Sequence, residues 1–381
     1  MTGLRGLTWA HTRGFAPLAA LGRVWEDGRP DAPVTWTARS LRSFGEEPLE
    51  PFLDDFDLLV FDYPMAGEAV GAGWVVPLER LVPADVLAAR RAGTVSPLHD
   101  AFAVPGGQAA LALDVATHVA VSRPDLLAAR GLSLPADWAE TVALARETGL
   151  VAMPMRPTGI WGGFLTLCAH AGDTPLHRTD GRPFDPDVAA DALGKLRDLA
   201  ALVDPACFET YPTALLNRMG ATDAIAFMPL TYGYSTYSVP GYAPRPLAFH
   251  DPRLGGPVRG AILGGAGIGV SARSRCPEAA AEHLLWLTSP AVQSTLYVRF
   301  GGQPAQRAAW DSPAADAMVG GFFTATRRSA ETAYVRANGP GFHHVQNAAA
   351  GRLHAAATGV APIGDTLREV AALWAGMRRP H

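Results

Sequence analysis

Apolar and polar positions alternate along the first third of the chain in a way that separates strands from helices. Leu4–Trp9 reads as a short strand, and Ala16–Trp25 as a helix with Leu18, Leu21 and Trp25 on one face. In APVTWTARS (32–40), Val34, Trp36 and Ala38 alternate with Thr35, Thr37 and Arg39, the period of two of a half-buried strand. FDLLVFDYP (56–64) carries instead the continuous apolar run of a strand buried on both faces. Strand–helix alternation of this kind predicts an α/β fold with a parallel or mixed sheet.

The pattern continues downstream. QAALALDVATHVAVSR (108–123) reads as two short strands with a break near Asp114. LPADWAETVALARETG (134–149) is a helix entered from Pro135 and closed by Gly149, with Trp138 and Val142 one turn apart. LVAMPMRP (150–157) reads as strand, and TGIWGGFLTLCAHAG (158–172) as helix. DPDVAADALGKLRDLAALV (185–203) is a helix with a stripe of Val188, Ala192, Leu196 and Leu199. DAIAFMPLTYGYSTYS (223–238) is a strand running into an aromatic loop. From Val258 to Trp310 the sequence predicts two strands, a helix from Pro277, a break at Ser289-Pro290 and a second short helix; the tail, 311–381, is expected to be mostly helical.

Composition narrows the class. At 381 residues the chain exceeds the usual size of one core, so two domains are expected. Apolar residues make up 48% and charged residues 18%, as in ordinary globular proteins. A net charge of −4 offers no electrostatic case for nucleic acid or an anionic membrane. Cys168, Cys207 and Cys276 are odd in number and widely spaced, which argues against a disulfide framework or a zinc knuckle. No H-E-x-x-H, no G-x-S-x-G and no apolar run of roughly 18 residues occurs. No metal, cofactor or membrane span is expected.

The segment 264–304 is the most informative. A glycine-rich strand GGAGIGVSARS, a helix PEAAAEHLLWLTSPAVQ and then GGQP resemble bacterial extracellular solute-binding proteins of ABC transporters, family 1, the sugar-type branch. LPADWAETVALA resembles that family's second-lobe helix start, and the N-terminal third agrees in layout. The resemblance implies a two-lobed type II periplasmic-binding-protein fold with mixed sheets and an interlobe ligand cleft. It implies a first lobe of 1–113 plus 257–305, and a second of 115–256 plus 306–381 with a helical tail. Such a fold closes by hinge motion over a ligand placed where strand C-ends and helix N-ends converge.

That placement selects the candidate residues. His11 and Arg13 follow the first strand, where free backbone N–H groups favour anions or sugar oxygens; solvated loop residues are the plain alternative. In FDYPMAG (61–67), Asp62 is placed to accept hydroxyl hydrogen bonds and Tyr63 to pack on a ring, or Asp62 simply caps a turn. Asp114 interrupts an apolar run, where a buried carboxylate needs a partner. It reads as a cleft or hinge residue, with Thr117 and His118 as weaker companions, or as a turn aspartate. Arg156 and Trp161 flank a helix start that Thr158 is expected to cap; ligand contact and helix packing compete for Trp161. Tyr232, Tyr234 and Tyr237 cluster in one loop, and Tyr232 or Tyr234 suits stacking against a sugar ring. GGAGIG (264–269) breaks the nucleotide spacing at Val270 and continues as strand, so close backbone packing is its plainer account. Cys168 reads as a small buried hydrophobe.

The leading expectation is a binder of a small polar solute, a sugar or a carboxylate-bearing molecule, performing no chemistry. It is expected to be a monomer, with an ABC permease as partner if exported. The alternative is a cytoplasmic enzyme or small-molecule sensor on the same fold, with His11, Asp62 and Asp114 as acid–base candidates. The two diverge on location. A leader removed before Met1 would mean a periplasmic or extracellular protein, and a native Met1 a cytoplasmic one.

Overall fold

The computed structural model describes residues 3–339 and 341–377, apart from the side chain of Glu46; Met1 and the last four residues of the expected helical tail lie outside the described residues. Seven strands form one curled mixed sheet: β1 (Leu4–Trp9), β2 (Val34–Arg39), β3 (Leu58–Asp62), β4 (Leu111–Ser122), β5 (Phe227–Tyr232), β6 (Ala248–His250) and β7 (Leu263–Val270). The order is β2-β1-β3-β7-β4-β5, with β6 also paired to β4. β1 runs parallel to β2 and β3, and the remaining pairs are antiparallel.

β3 shows why the continuous apolar run belongs in the middle. Leu58 and Val60 enter one core with Leu18, Trp25, Trp36 and Leu284, while Leu59 and Phe61 enter another with Phe102 and Ala110. The first core lies under α1 (Thr12–Gly28), which begins four residues before the expected Ala16. His11 is the reason: its Nδ1 accepts from the Arg13 amide at 3.0 Å and caps the first turn.

β4 departs from expectation. Residues 108–123 were expected to form two strands, and the chain instead runs as one strand of 12 residues with every position buried. Its first half pairs with β7 and its second with β5 and β6, so it passes from one part of the sheet to the other. The polar interruption at Asp114 is a β-bulge between Ala112 and Asp114, not a break. Bulging absorbs one residue and leaves the strand continuous.

Helices α2 (Trp138–Thr148), α3 (Pro157–His170), α4 (Pro186–Ala200) and α6 (Pro277–Leu287) lie within or close to the expected ranges, whereas α5 (Pro212–Ala221) was not among the expected elements. In the tail, short helical turns between Pro313 and Glu331 precede two helices, α7 (Phe342–Ala357) of 16 residues and α8 (Ile363–Met377) of 15. α2 starts at Asp137, which caps the Glu140 amide, and ends on the left-handed Gly149. LVAMPMRP is not a strand: only Val151 bridges β5, because the chain then turns through Pro154 into α3. Likewise 258–271 yields β7 alone rather than two strands, with Ile262 making a single bridge to Tyr334.

Candidate ligand cavity

The three parallel strands deliver their C-terminal loops to one place. Trp9 and Arg13 follow β1, Leu41 and Phe44 follow β2, and Asp62 and Met65 end or follow β3; all six side a cavity of about 210 Å3. The opposite side comes from the start of α3, the end of β5, and Arg336, His343 and Gln346 ahead of and along α7. Between them lie the bulge of β4 and the glycines that open β7. One of these, Gly265, has φ of 115°, and a Cβ there would fall 2.3 Å from the Asp114 carbonyl. The glycine run therefore serves close strand packing at the cavity floor.

Arg13 and Asp114 meet across 101 residues of sequence. Arg13 Nε donates to Oδ1 at 3.1 Å and Nη2 donates to Oδ1 at 2.6 Å, with both side chains almost wholly buried. Arg13 Nη1 donates to the Gly233 carbonyl at 2.6 Å, and the guanidinium lies 4.4 Å over the Tyr234 ring. The Gln303 amide supplies a further donor to Asp114 Oδ2 at 3.3 Å. Burial pushes the Asp114 carboxyl up, and the facing guanidinium opposes that.

A second buried arginine, Arg336, repeats the arrangement across the cavity. Its Nε donates to Tyr63 Oη at 3.0 Å, Nη1 donates to Gln346 Oε1 at 3.1 Å, and Nη2 stands 3.6 Å from Asp62 Oδ2. Tyr63 Oη in turn donates to the Leu263 carbonyl at 3.2 Å. Burial raises the Asp62 carboxyl, again against the pull of the guanidinium. His118, at the centre of β4, bonds Thr166 through Nδ1 at 2.9 Å and rests edge-on against Tyr232. Desolvation, and then the charge of Arg336, lower its pKa to about 3, so it is neutral at pH 7.

Of the residues singled out in the sequence, Arg13, Asp62, Asp114, His118, Arg156, Trp161, Tyr232 and Tyr234 line this one cavity. His11, Tyr63 and Thr117 stand outside its lining. His11 caps α1 behind the Tyr234 ring, and burial, then Arg13, lowers its pKa to about 4. Tyr63 is fully buried behind Arg336. Thr117 pairs with Leu263, and its carbonyl accepts from the Gly233 amide. Thr158 is not the cap of α3; Arg156 holds that position with no side-chain cap bond, and Pro157 opens the helix. Cys168 is buried within α3, where burial holds its thiol up.

Arg336, His343 and Gln346 escaped the sequence reading as cavity residues. Arg336 lies in an irregular stretch between helices and shows no periodicity. Among the described residues no group of His, Cys, Asp and Glu is arranged to hold a metal ion.

No protein-family model matches the sequence, and no curated protein matches it significantly. Solved structures do match. Maltose-bound MalE3 of T. maritima superposes with a TM-score of 0.82 at 17% identity, over 98% of this chain and 99% of that one. An ABC transporter solute-binding protein of Thermotoga lettingae TMO bound with alpha-D-tagatose gives 0.83 at 14% identity, over 99% and 100%. One from Agrobacterium radiobacter K84 in complex with ribitol gives 0.80 at 18%, over 98% of each chain. The chain thus has the two-lobed periplasmic-binding-protein fold with mixed sheets that its sequence led us to expect.

Proposed function

We propose that this chain is a solute-binding protein that captures a small carbohydrate in the cavity, without altering it, and presents it to an ABC-type permease when located outside the membrane. The observation that carries this reading is the cavity itself. Loops at the C-ends of three parallel strands face an opposing wall built from a different part of the chain, and Trp9, Trp161, Tyr232 and Tyr234 all line one space. Aromatic faces suit the apolar faces of sugar rings, and the polar groups among them suit hydroxyls. The matched solved structures hold maltose, tagatose and ribitol, which supports the same ligand class.

We take the lobes as 1–113 plus 257–305 and 115–256 plus 306–381. β4 would then run through one of the crossings. No helix among the described residues is long and apolar enough to cross a membrane.

The test is a calorimetric and thermal-shift screen of the full chain against maltose, D-tagatose, ribitol and related sugars, with masses of the sugars recorded afterwards. At a sugar concentration about a hundredfold above Kd, Tm is expected to rise by several degrees with the sugar recovered unchanged. Conversion to a new mass would replace this reading with an enzymatic one. The absence of any shift across the screen would remove the sugar from it.

A further inference from the structure

The charges lining the cavity do not cancel. Among the described residues its carboxylates are Asp62 and Asp114, and each already faces an arginine. Arg156 is a third guanidinium on the same cavity, and it has no carboxylate partner among the described residues. Its Nη1 donates to the Glu209 carbonyl at 3.1 Å, and its plane lies 4.6 Å over the Tyr211 ring. These contacts fix the group in place while using one of its five donors and leaving its charge without a carboxylate counter-ion.

A second observation points the same way. Trp161 lines the cavity, is 2% exposed, and has an indole N–H with no acceptor. Arg336 Nη2 likewise makes no hydrogen bond and meets only the longer contact with Asp62. Asp114 is taken up by Arg13, and Asp62 accepts from the Tyr63 amide and faces Arg336; Thr231 Oγ1 and His343 Nε2 on the same cavity also lack partners. The lining thus carries three guanidinium groups against two carboxylates, an excess of positive charge. A neutral polyol leaves that excess charge standing, although each hydroxyl offers two acceptor lone pairs beside its one donor. A ligand with an anionic group removes it, and such a group only accepts.

We propose, resting on the solute-binding reading above, that the natural ligand is a carbohydrate or ring-sized polyol bearing one anionic group, a carboxylate or a phosphate, which pairs with Arg156. Arg156 is then the residue that selects acid over neutral sugar. Its position just ahead of α3, a helix of 14 residues whose positive end faces the same space, adds to the preference. The ring of the ligand occupies the aromatic part of the cavity, and the anionic group its Arg156 side.

The experiment is titration calorimetry of the full chain with matched pairs: glucose against glucuronate, galactose against galacturonate, and glucose against glucose 6-phosphate. In at least one pair the anionic member is expected to bind about tenfold or more tighter, as a charge-assisted contact allows, and added salt should shrink the gap. Whether glucuronate or glucose 6-phosphate shows the larger gap identifies the group. Arg156→Gln is expected to abolish the gap while weak neutral-sugar binding persists, and Arg156→Lys to keep part of it. Equal or tighter binding of the neutral member, or an acid preference that survives in Arg156→Gln, overturns the inference but leaves the solute-binding reading intact. Failure of every sugar in the set, neutral and anionic, sinks both.

Discussion

A buried histidine with nothing to bond is as informative about this molecule as its paired charges. His283 on α6 is fully buried among the rings of Trp25, Trp36 and Trp286, and neither of its ring nitrogens has a partner. Desolvation, and then the nearby charge of Arg29, lower its pKa to about 3. In the unfolded chain the same group titrates near 6.5, so between those values the unfolded state binds the extra proton. The stabilising contribution is complete above roughly pH 6.5 and is lost as pH falls toward 3, at up to about 1.4 kcal/mol per pH unit for one such group. Urea unfolding at pH 7, 5.5 and 4.5 should show that acid slope, and His283→Phe should make it shallower by the share of one group, with His11 and His118 still contributing. An unchanged slope in the variant would mean that His283 accepts its proton in the folded state. Asp114 was visible in the sequence as a polar interruption of an apolar run. Its partner was not. The contact between Arg13 and Asp114 spans 101 positions, and no local period carries information about pairing at that distance.

Among the elements, β4 and β7 form the seam on which the cavity rests. Gly265 can hold its φ of 115° and its approach to the Asp114 carbonyl only without a Cβ. Gly265→Ala is therefore expected to destabilise by about 2–4 kcal/mol, and by displacing the bulge to loosen the Arg13–Asp114 contact and weaken ligand binding. Gly194, inside α4 with open space around it, is the control: Gly194→Ala should stabilise by about 0.4–1 kcal/mol. Paired urea midpoints test both, and similar shifts for the two glycines would remove the special role given to the seam. The elements that the sequence rendered well are those with one clear periodic face, such as α4; in β2 the expected alternation holds at Val34 and Trp36 but fails at its end, where Ala38 is exposed and Arg39 buried. The errors fall where a polar residue or a proline changes meaning with context. Asp114 looked like the end of a strand because a bulge leaves no signature in a single sequence. Residues 150–157 are apolar enough for a strand, yet Pro154 and Pro157 commit them to the entry of α3.

For the molecule as a whole, the proposed lobes are joined across the cavity by the two arginines already described. Arg13 of the first lobe reaches the Gly233 carbonyl and the Tyr234 ring of the second. Arg336 of the second lobe reaches Tyr63 and Asp62 of the first. If hinge opening admits the sugar, these contacts belong to the closed form alone. Only interactions that differ between two states move the balance between them. Arg336→Met keeps much of the side chain's bulk and removes the contacts, so it should shift the sugar-free protein toward the open form. Part of the ligand's binding energy must then go into closing the lobes, and apparent affinity falls by the factor by which the closed population has dropped. Small-angle scattering of the sugar-free proteins is expected to give a larger radius of gyration for Arg336→Met than for the unaltered chain, with saturating sugar bringing the two together. Identical radii in the absence of sugar, alongside weaker binding, would make Arg336 a direct ligand contact instead of a latch between lobes.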